Sequence, residues 1–316
     1  MRLPLSLLAA LFGGLVLIGQ LAHAADAVEW LSQANKAARQ LDYTGTYVYR
    51  HGEHEEVLRV SQRVDGKQER QKIEVLDGPH REFIRINDDV YCHLADGKTV
   101  RVDKSAVQRF FPAVVPSDPV RLNAYYILKL GGSGKVAGRE CQIVMLEPRD
   151  PYRYTHMIWV DRATSLPLKS QTVNNHGIPL STFVFTEIEI GKRPDKALFD
   201  VRTAGKRTQA AGVTMGALDD VWQIAPPPGY VRILESMRPL PGIKTPVLHS
   251  VYSDGMSNLS VFIEPILDGD EVGLEGLSTE GAMSVYGRRV EGHKVTTLGE
   301  VPPAALLETA NSVRKK

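Results

Sequence analysis

The residues with chemical reach in this 316-residue chain are few and scattered. His51 and His54, set among Glu53, Glu55 and Glu56, offer nitrogen and oxygen donors for a metal ion. They fall in a hairpin turn, where side chains at this spacing do not converge, and no second cluster supplies a third ligand at recognisable spacing. No metal and no cofactor is therefore expected. Gly131-Gly132-Ser133-Gly134-Lys135 has the outline of a phosphate loop. Lys129, however, stands where its first glycine is required, and Val136 stands where Ser or Thr would bind magnesium. The string reads instead as a flexible loop between a helix and a strand. Neither a Gly-x-Ser-x-Gly elbow nor a His-Glu-x-x-His pair occurs. A hydrolase would have only the histidines to work with.

Aromatic side chains are the more informative group. Tyr43, Tyr47, Tyr49, Phe83, Tyr125, Tyr126, Trp159, Phe183 and Phe185 are spread over the first two-thirds of the chain. As packed core they need no ligand. As walls of an apolar cavity inside a curved sheet, with Tyr47, Tyr49 and Trp159 as lining residues, they would hold an acyl chain or a hydrophobic segment. Further on, Tyr252, Asp254 and Phe262 flank a turn and would suit a protein interface. The other reading there is a plain hairpin, with Asp254-Gly255 making the turn.

The elements that must position these residues follow from periodicity. Asp26 to Leu41 reads as an amphipathic helix, with Val28, Leu31, Ala34, Ala38 and Leu41 at helical spacing behind a capping-box-like Asp26 and Glu29. The period then switches to two. Strands are expected over Tyr43–Arg50, Glu55–Val64 and Lys67–Leu76, with turns at Asp65-Gly66, Asp77-Gly78-Pro79, Asn87-Asp88 and Asp96-Gly97. A helical break over Ser105–Phe111 leads into Pro112, Pro116 and Pro119, and apolar Leu122, Tyr125, Tyr126, Leu128 and Leu130 follow. Strands resume over Arg139–Leu146, Tyr152–Asp161, Pro167–Asn174 and Ser181–Ile190. Residues 25–201 thus predict one curved sheet with its helices on the concave side. Arg202 to Gly216 is small, polar and aperiodic, an interdomain linker. Residues 217–316 predict a smaller α+β domain, with strands near Tyr230–Arg238, Val247–Ser253 and Leu259–Glu264 and a terminal helix over Pro303–Val313. The fold class expected is α+β, mainly β.

The first twenty-four residues read as a secretory signal peptide. A positive start is followed by an apolar run from Leu5 to Leu21, and Ala22-His23-Ala24 offers small residues for the cut. A membrane anchor is the rival reading of the same run. With 38 basic and 37 acidic residues the chain carries a formal charge of +1, which excludes a nucleic-acid footprint. In an oxidising compartment Cys92 and Cys141 are a disulfide candidate. Closing that loop of about 49 residues would stabilise the fold by roughly 4 kcal/mol. The alternative is a pair of buried free thiols.

Several strings carry a resemblance. Glu74-Val75-Leu76-Asp77-Gly78-Pro79 followed by Arg81-Glu82, Gly138-Arg139-Glu140-Cys141, and Ile158-Trp159-Val160-Asp161 with Leu166-Pro167-Leu168-Lys169 are similar to the periplasmic sigma-E regulators of the RseB and MucB family. So are Arg238-Pro239-Leu240-Pro241, Val251-Tyr252-Ser253-Asp254-Gly255 and Gly299-Glu300-Val301-Pro302-Pro303. Their order from about residue 28 to the C-terminus makes the resemblance specific. It implies a half-open β-barrel like that of the lipoprotein carriers LolA and LolB, plus a smaller C-terminal domain that grips the periplasmic part of a membrane-spanning anti-sigma factor. It further implies that the protein shields this partner from regulated proteolysis, holds an envelope-stress sigma factor off, and responds to a lipid, lipopolysaccharide or lipoprotein signal. A lipid or lipoprotein carrier is the second reading, and homo-oligomerisation stays open.

Overall fold

The computed structural model describes residues 26–87, 89–94, 99–102, 111–201, 208–209, 221–240, 243, 245–267, 275–280 and 283–316. The signal-peptide segment lies outside them, as does Ser105–Phe111 up to Phe111 itself.

Helix α1 spans residues 26–40. It buries Ala27, Leu31, Ala34 and Ala38, one stripe at helical spacing, while the intervening residues keep partial contact with water. The chain then turns into β1 (Tyr43–His51), β2 (His54–Asp65), β3 (Gln68–Val75), β4 (Arg81–Ile86), β5 (Asp89–Leu94) and β6 (Thr99–Val102), an antiparallel meander. After a short 3-10 turn at Pro119–Ala124 come β7 (Tyr126–Val136), β8 (Arg139–Pro148), β9 (Thr155–Asp161), β10 (Pro167–Val173) and β11 (Pro179–Ile190). A two-residue strand β12 (Thr208–Gln209) adds in parallel to β6; it falls inside the expected linker, the rest of which lies outside the described residues. The sheet order is β12-β6-β5-β4-β3-β2-β1-β11-β10-β9-β8-β7, with its two ends unpaired to one another. The expected half-open barrel is what forms.

Helix α1 lies inside the curve. Ala27, Leu31 and Ala34 pack with Tyr126, Leu128, Val144, Leu146, Ile158 and Val160, and Ala37 and Ala38 reach Tyr43 and Tyr47. The end of the helix is tied down through one carbonyl. Ala38 O accepts from Gln62 Nε2 at 2.7 Å and from the Tyr43 hydroxyl at 3.2 Å, which satisfies an acceptor that the helix itself leaves open.

Two sequence expectations change here. The glycine-rich string 131–135 is not a loop after a helix: it lies within β7, which carries an irregularity between Leu130 and Ser133. Gly134 serves close packing. A Cβ at Gly134 would stand 2.8 Å from the Trp159 indole of the sheet face beside it. Cys92 and Cys141 are both buried free thiols rather than a disulfide. Cys92 sits on β5 and Cys141 on β8, strands near opposite ends of the sheet order, and Cys141 packs among Val136, Leu166 and Leu168.

The second unit is a six-stranded antiparallel sheet, β14 (Val231–Arg238), β15 (Val247–Ser253), β16 (Asn258–Pro265), β17 (Gly276–Glu280), β18 (Met283–Val290) and β19 (His293–Gly299), in the order β14-β15-β16-β19-β18-β17. Helix α2 (Pro303–Ser312) covers one face, and β13 (Trp222–Gln223) pairs with β20 (Arg314–Lys315) at its edge. The Gly276–Gly299 strands carried no turn signal as clear as those upstream.

Candidate functional site

Among the described residues, the inside of the half-barrel carries a packed aromatic cluster. Tyr47 and Tyr49 alternate onto the inner face of β1, with Phe185 and Phe183 of β11 directly opposite. Phe111, which enters over them, is fully buried. Its ring lies 5.3 Å from Tyr47, 5.0 Å from Phe185 and 5.5 Å from Phe183, stacked on the last at 13°. Tyr49 stacks on Phe183 at 4.3 Å. Burial pushes the Tyr47 phenol above its ordinary range. Deeper toward β9 and β10, the space between Val114, Met256, His156, Ser170, Thr172, Ser181 and Phe183 amounts to only about 10 Å³, at the lower limit for one water molecule.

Met256 belongs to the second unit. It sits in the turn between β15 and β16, and it packs against Leu122, Tyr126 and Ile158 of the first. Asp254 in the same turn fixes it there. One carboxylate oxygen accepts from the backbone N–H groups of Met256 at 2.9 Å and Ser257 at 2.7 Å. The other accepts from Arg153 Nε at 2.9 Å and from the Tyr126 hydroxyl at 2.8 Å. Both partners of the ion pair have fully buried side chains. Arg153 has a partner at each of its other two nitrogens: it bridges to Asp150 and donates to Pro228 O, and its guanidinium lies 4.6 Å from the Tyr125 ring centroid and 4.8 Å from that of Tyr230. Removing one member of such a buried pair leaves an uncompensated charge, and here each guanidinium nitrogen has a bonded acceptor. Burial, then the neighbouring Asp254 charge, hold the Tyr126 phenol well above its ordinary value. Gly229, at φ +89°, lets the Pro228 carbonyl reach Arg153, since a Cβ there would meet the Tyr125 ring at 2.5 Å.

Clefts lined from both units open here; one of about 190 Å³ runs past Val114, Pro116, Gly255 and Met256, and two are larger. One of about 540 Å³ is lined by Tyr49, His51, Glu56, Asp77, Met283 and Glu300, and the Tyr49 hydroxyl donates to Glu300 across it at 3.4 Å. The other, about 440 Å³, runs past Arg121, Tyr125, Val231 and Ile233. His51 and His54 face one another at the β1–β2 hairpin, and among the described residues no three metal-ligating side chains gather. Ser257 Oγ lies 3.5 Å from His156 Nε2, but the pair is buried with no room for a substrate beside it.

The residues singled out in the sequence fall in different places. Tyr47 and Tyr49 meet in that aromatic cluster. Trp159 does not join them: the register runs from Tyr49 through Phe183 and Ser170 to Ile158, so the next residue points to the other face. There its indole lies under the Lys169 ammonium at 4.1 Å. Tyr252 is buried in the small core opposite Leu259, rather than exposed beside a turn. Phe262 lies on the face away from α2, stacked on His249 at 4.2 Å. Asp254 is at an interface, but one within the chain. Arg153, Phe111 and Met256 were missed. The only sequence trace of the contact is the pairing of two turn signals, Pro228-Gly229 and Asp254-Gly255.

A family model described as the MucB/RseB N-terminal domain matches residues 26–204, and one described as the MucB/RseB C-terminal domain matches residues 217–314. The sigma factor AlgU regulatory protein MucB of Pseudomonas aeruginosa is 34% identical over 313 residues, covering 95% of this chain and 96% of that protein. The sigma-E factor regulatory protein RseB of Salmonella typhimurium is 26% identical, covering 90% and 89%. The solved complex of Pseudomonas aeruginosa MucA and MucB contains a chain that matches with a TM-score of 0.74 at 30% identity, over 92% of this chain and 99% of that one. Both sheets thus lie within the matched stretches: the chain belongs to the MucB/RseB family.

Proposed function

We propose that this protein is a periplasmic regulator that binds the periplasmic region of a membrane-spanning anti-sigma factor, protects it from regulated proteolysis, and so represses an extracytoplasmic stress sigma factor. The observation that carries this reading is the end-to-end match to MucB, a relative solved in complex with MucA. The two units correspond to residues 25–201 and 217–316, with the signal peptide removed on export. The small unit supplies the main grip on the partner, and the half-barrel reads an amphiphile, a lipid or the acyl chain of a lipoprotein. Binding and sensing are then two ends of one equilibrium, which a ligand shifts only through its different affinity for the two states. Tyr47 and Tyr49 are the interior residues nearest such a ligand, and Phe262 is a half-buried aromatic on the outer face of the small sheet.

The test is capture of the anti-sigma factor's periplasmic region by the purified mature chain. Retention at micromolar concentration is expected, together with slower cleavage of the captured segment by the site-1 type protease. No retention at that concentration sinks the proposal. A carrier needs no second domain, so the match of residues 217–314 to a C-terminal domain of its own speaks against that reading.

A further inference from the structure

We propose that the outer face of the half-barrel, the one turned away from α1, docks on an anionic bilayer surface, with Trp159 entering the headgroup layer and Lys169 meeting lipid phosphates. This goes beyond the reading above and does not depend on it. The strand registers set two rows of side chains on that face. Val57, Val48, Val184, Lys169, Trp159 and Ile143 stand opposite one another from β2 across β1, β11, β10 and β9 to β8. Two residues along each strand, Arg50, Thr182, Gln171, Met157, Met145 and Lys129 form a second row that reaches β7. An antiparallel sheet with one face on its core ordinarily turns polar side chains to water on the other. Here the first row is apolar but for Lys169, Met157 and Met145 widen it, and of these apolar residues only Val48 is buried. The same face over β2–β4 is different. There Asp65 pairs with Arg63 and Arg70, and Lys72 bridges Glu74 and Glu82.

The charge at the centre of the apolar belt selects the occupant. The Lys169 ammonium lies 4.1 Å from the Trp159 ring centroid, and among the described residues no carboxylate pairs with it. The other two cations of the belt are matched, Arg50 by Glu55 and Lys129 by Glu147. The belt therefore carries one surplus positive charge in its apolar middle. Burial, then the neighbouring Arg50 charge, lower the Lys169 ammonium from its ordinary value. An anion set beside it would offset both. An indole next to an ammonium suits the zone between acyl chains and headgroups, where the ring meets apolar groups and the cation meets phosphate. Six strands at about 4.8 Å spacing make the belt roughly 24 Å wide, an extended surface rather than a pocket for one small molecule.

The experiment mixes the mature chain with vesicles of phosphatidylcholine alone, or of phosphatidylcholine and phosphatidylglycerol in equal parts, and reads binding by co-sedimentation. Binding is expected to the anionic vesicles and falls as salt is raised. Lys169→Gln weakens it roughly fivefold, the worth of one basic side chain near an anionic surface, and Lys169→Arg restores it. Lys192→Gln, the same charge change just beyond β11, leaves it unaltered. Vesicles with brominated acyl chains quench the tryptophan emission of the unaltered chain, and the quenching is lost in Trp159→Phe although Trp30 and Trp222 remain. No sedimentation with anionic vesicles overturns the proposal. Equal losses from Lys169→Gln and Lys192→Gln, or quenching that persists in Trp159→Phe, overturn it as well. Self-association that Lys169→Gln abolishes, without vesicle binding, assigns the face to a second copy of the chain and overturns the bilayer.

Discussion

The small sheet covers its inner face with its own sequence, as Leu306 and Ala310 of α2 fall onto Val261, Ile263 and Val295. The large sheet does not. Helix α1 covers its β7–β9 end, Phe111 fills its middle, and the remaining opening is closed by Met256 from the other unit. One core is therefore complete in itself and the other is completed on loan. Whatever displaces the small unit also uncovers the large one, whereas a local loss in the large one that leaves the Met256 contact in place need not reach the small one.

Phe111→Ala should have the largest effect, about 4 kcal/mol, because it empties the middle of the aromatic cluster. Amide exchange should rise over β1 and β11 while β16 and β19 stay protected. Leu306→Ala should cost about 3 kcal/mol, yet raise exchange in both sheets, since it loosens the unit that carries Met256. If β1 remains fully protected in Leu306→Ala, the asymmetry is wrong.

Acid should act first on the large unit. Burial works to raise the Asp161 carboxyl, but two bonds from Arg139 and two from Thr164 outweigh it and hold the group below its ordinary value. A carboxyl lowered by folding stabilises above its unfolded pKa, near 4, and that contribution is lost as pH falls through the folded value. Asp161→Asn should therefore lower the melting temperature at pH 7 and flatten its decline below about pH 4. An unchanged acid profile would assign the loss elsewhere. The smallest effect concerns the thiols. Burial pushes Cys141 up to about 11 and raises Cys92 as well. Ellman's reagent at pH 8 should find almost no reactive thiol in the native chain, and two after unfolding in guanidinium. Finding none after unfolding would restore the disulfide.

Much of the architecture was legible because its signals are local. The period of two and the Asp-Gly turns placed β1–β3, β8, β10, β11 and β14–β16 within one or two residues, whereas β7 was expected as a helix followed by a loop and β17–β19 were not placed. The glycine string failed as a local signal because its cause is not local: Gly134 answers to Trp159, two strands away in the sheet order. The candidate site was less legible for the same reason. Tyr47 and Tyr49 were found by alternation on a single strand. Trp159 was misplaced because its face depends on the registers of β11, β10 and β9, which no single strand encodes. Arg153 has no neighbours in sequence that mark it, and its partner lies about a hundred residues on. Asp254 was visible only as a turn residue. Its second oxygen, the one that reaches the other unit, is invisible until the chain is folded.

The pairing of β1 with β11 brings Tyr43 against Ile190, so the middle of the large sheet is sewn from the two ends of its own stretch of chain. Any polymer released N-terminus first, from a ribosome or through a membrane pore, must hold β1 open along one side until nearly one hundred and fifty further residues have emerged. During that wait a row of tyrosines and an unpaired strand edge face whatever else is present. Until β11 arrives, the edge of β1 is where the strand order leaves this sheet open to unwanted pairing.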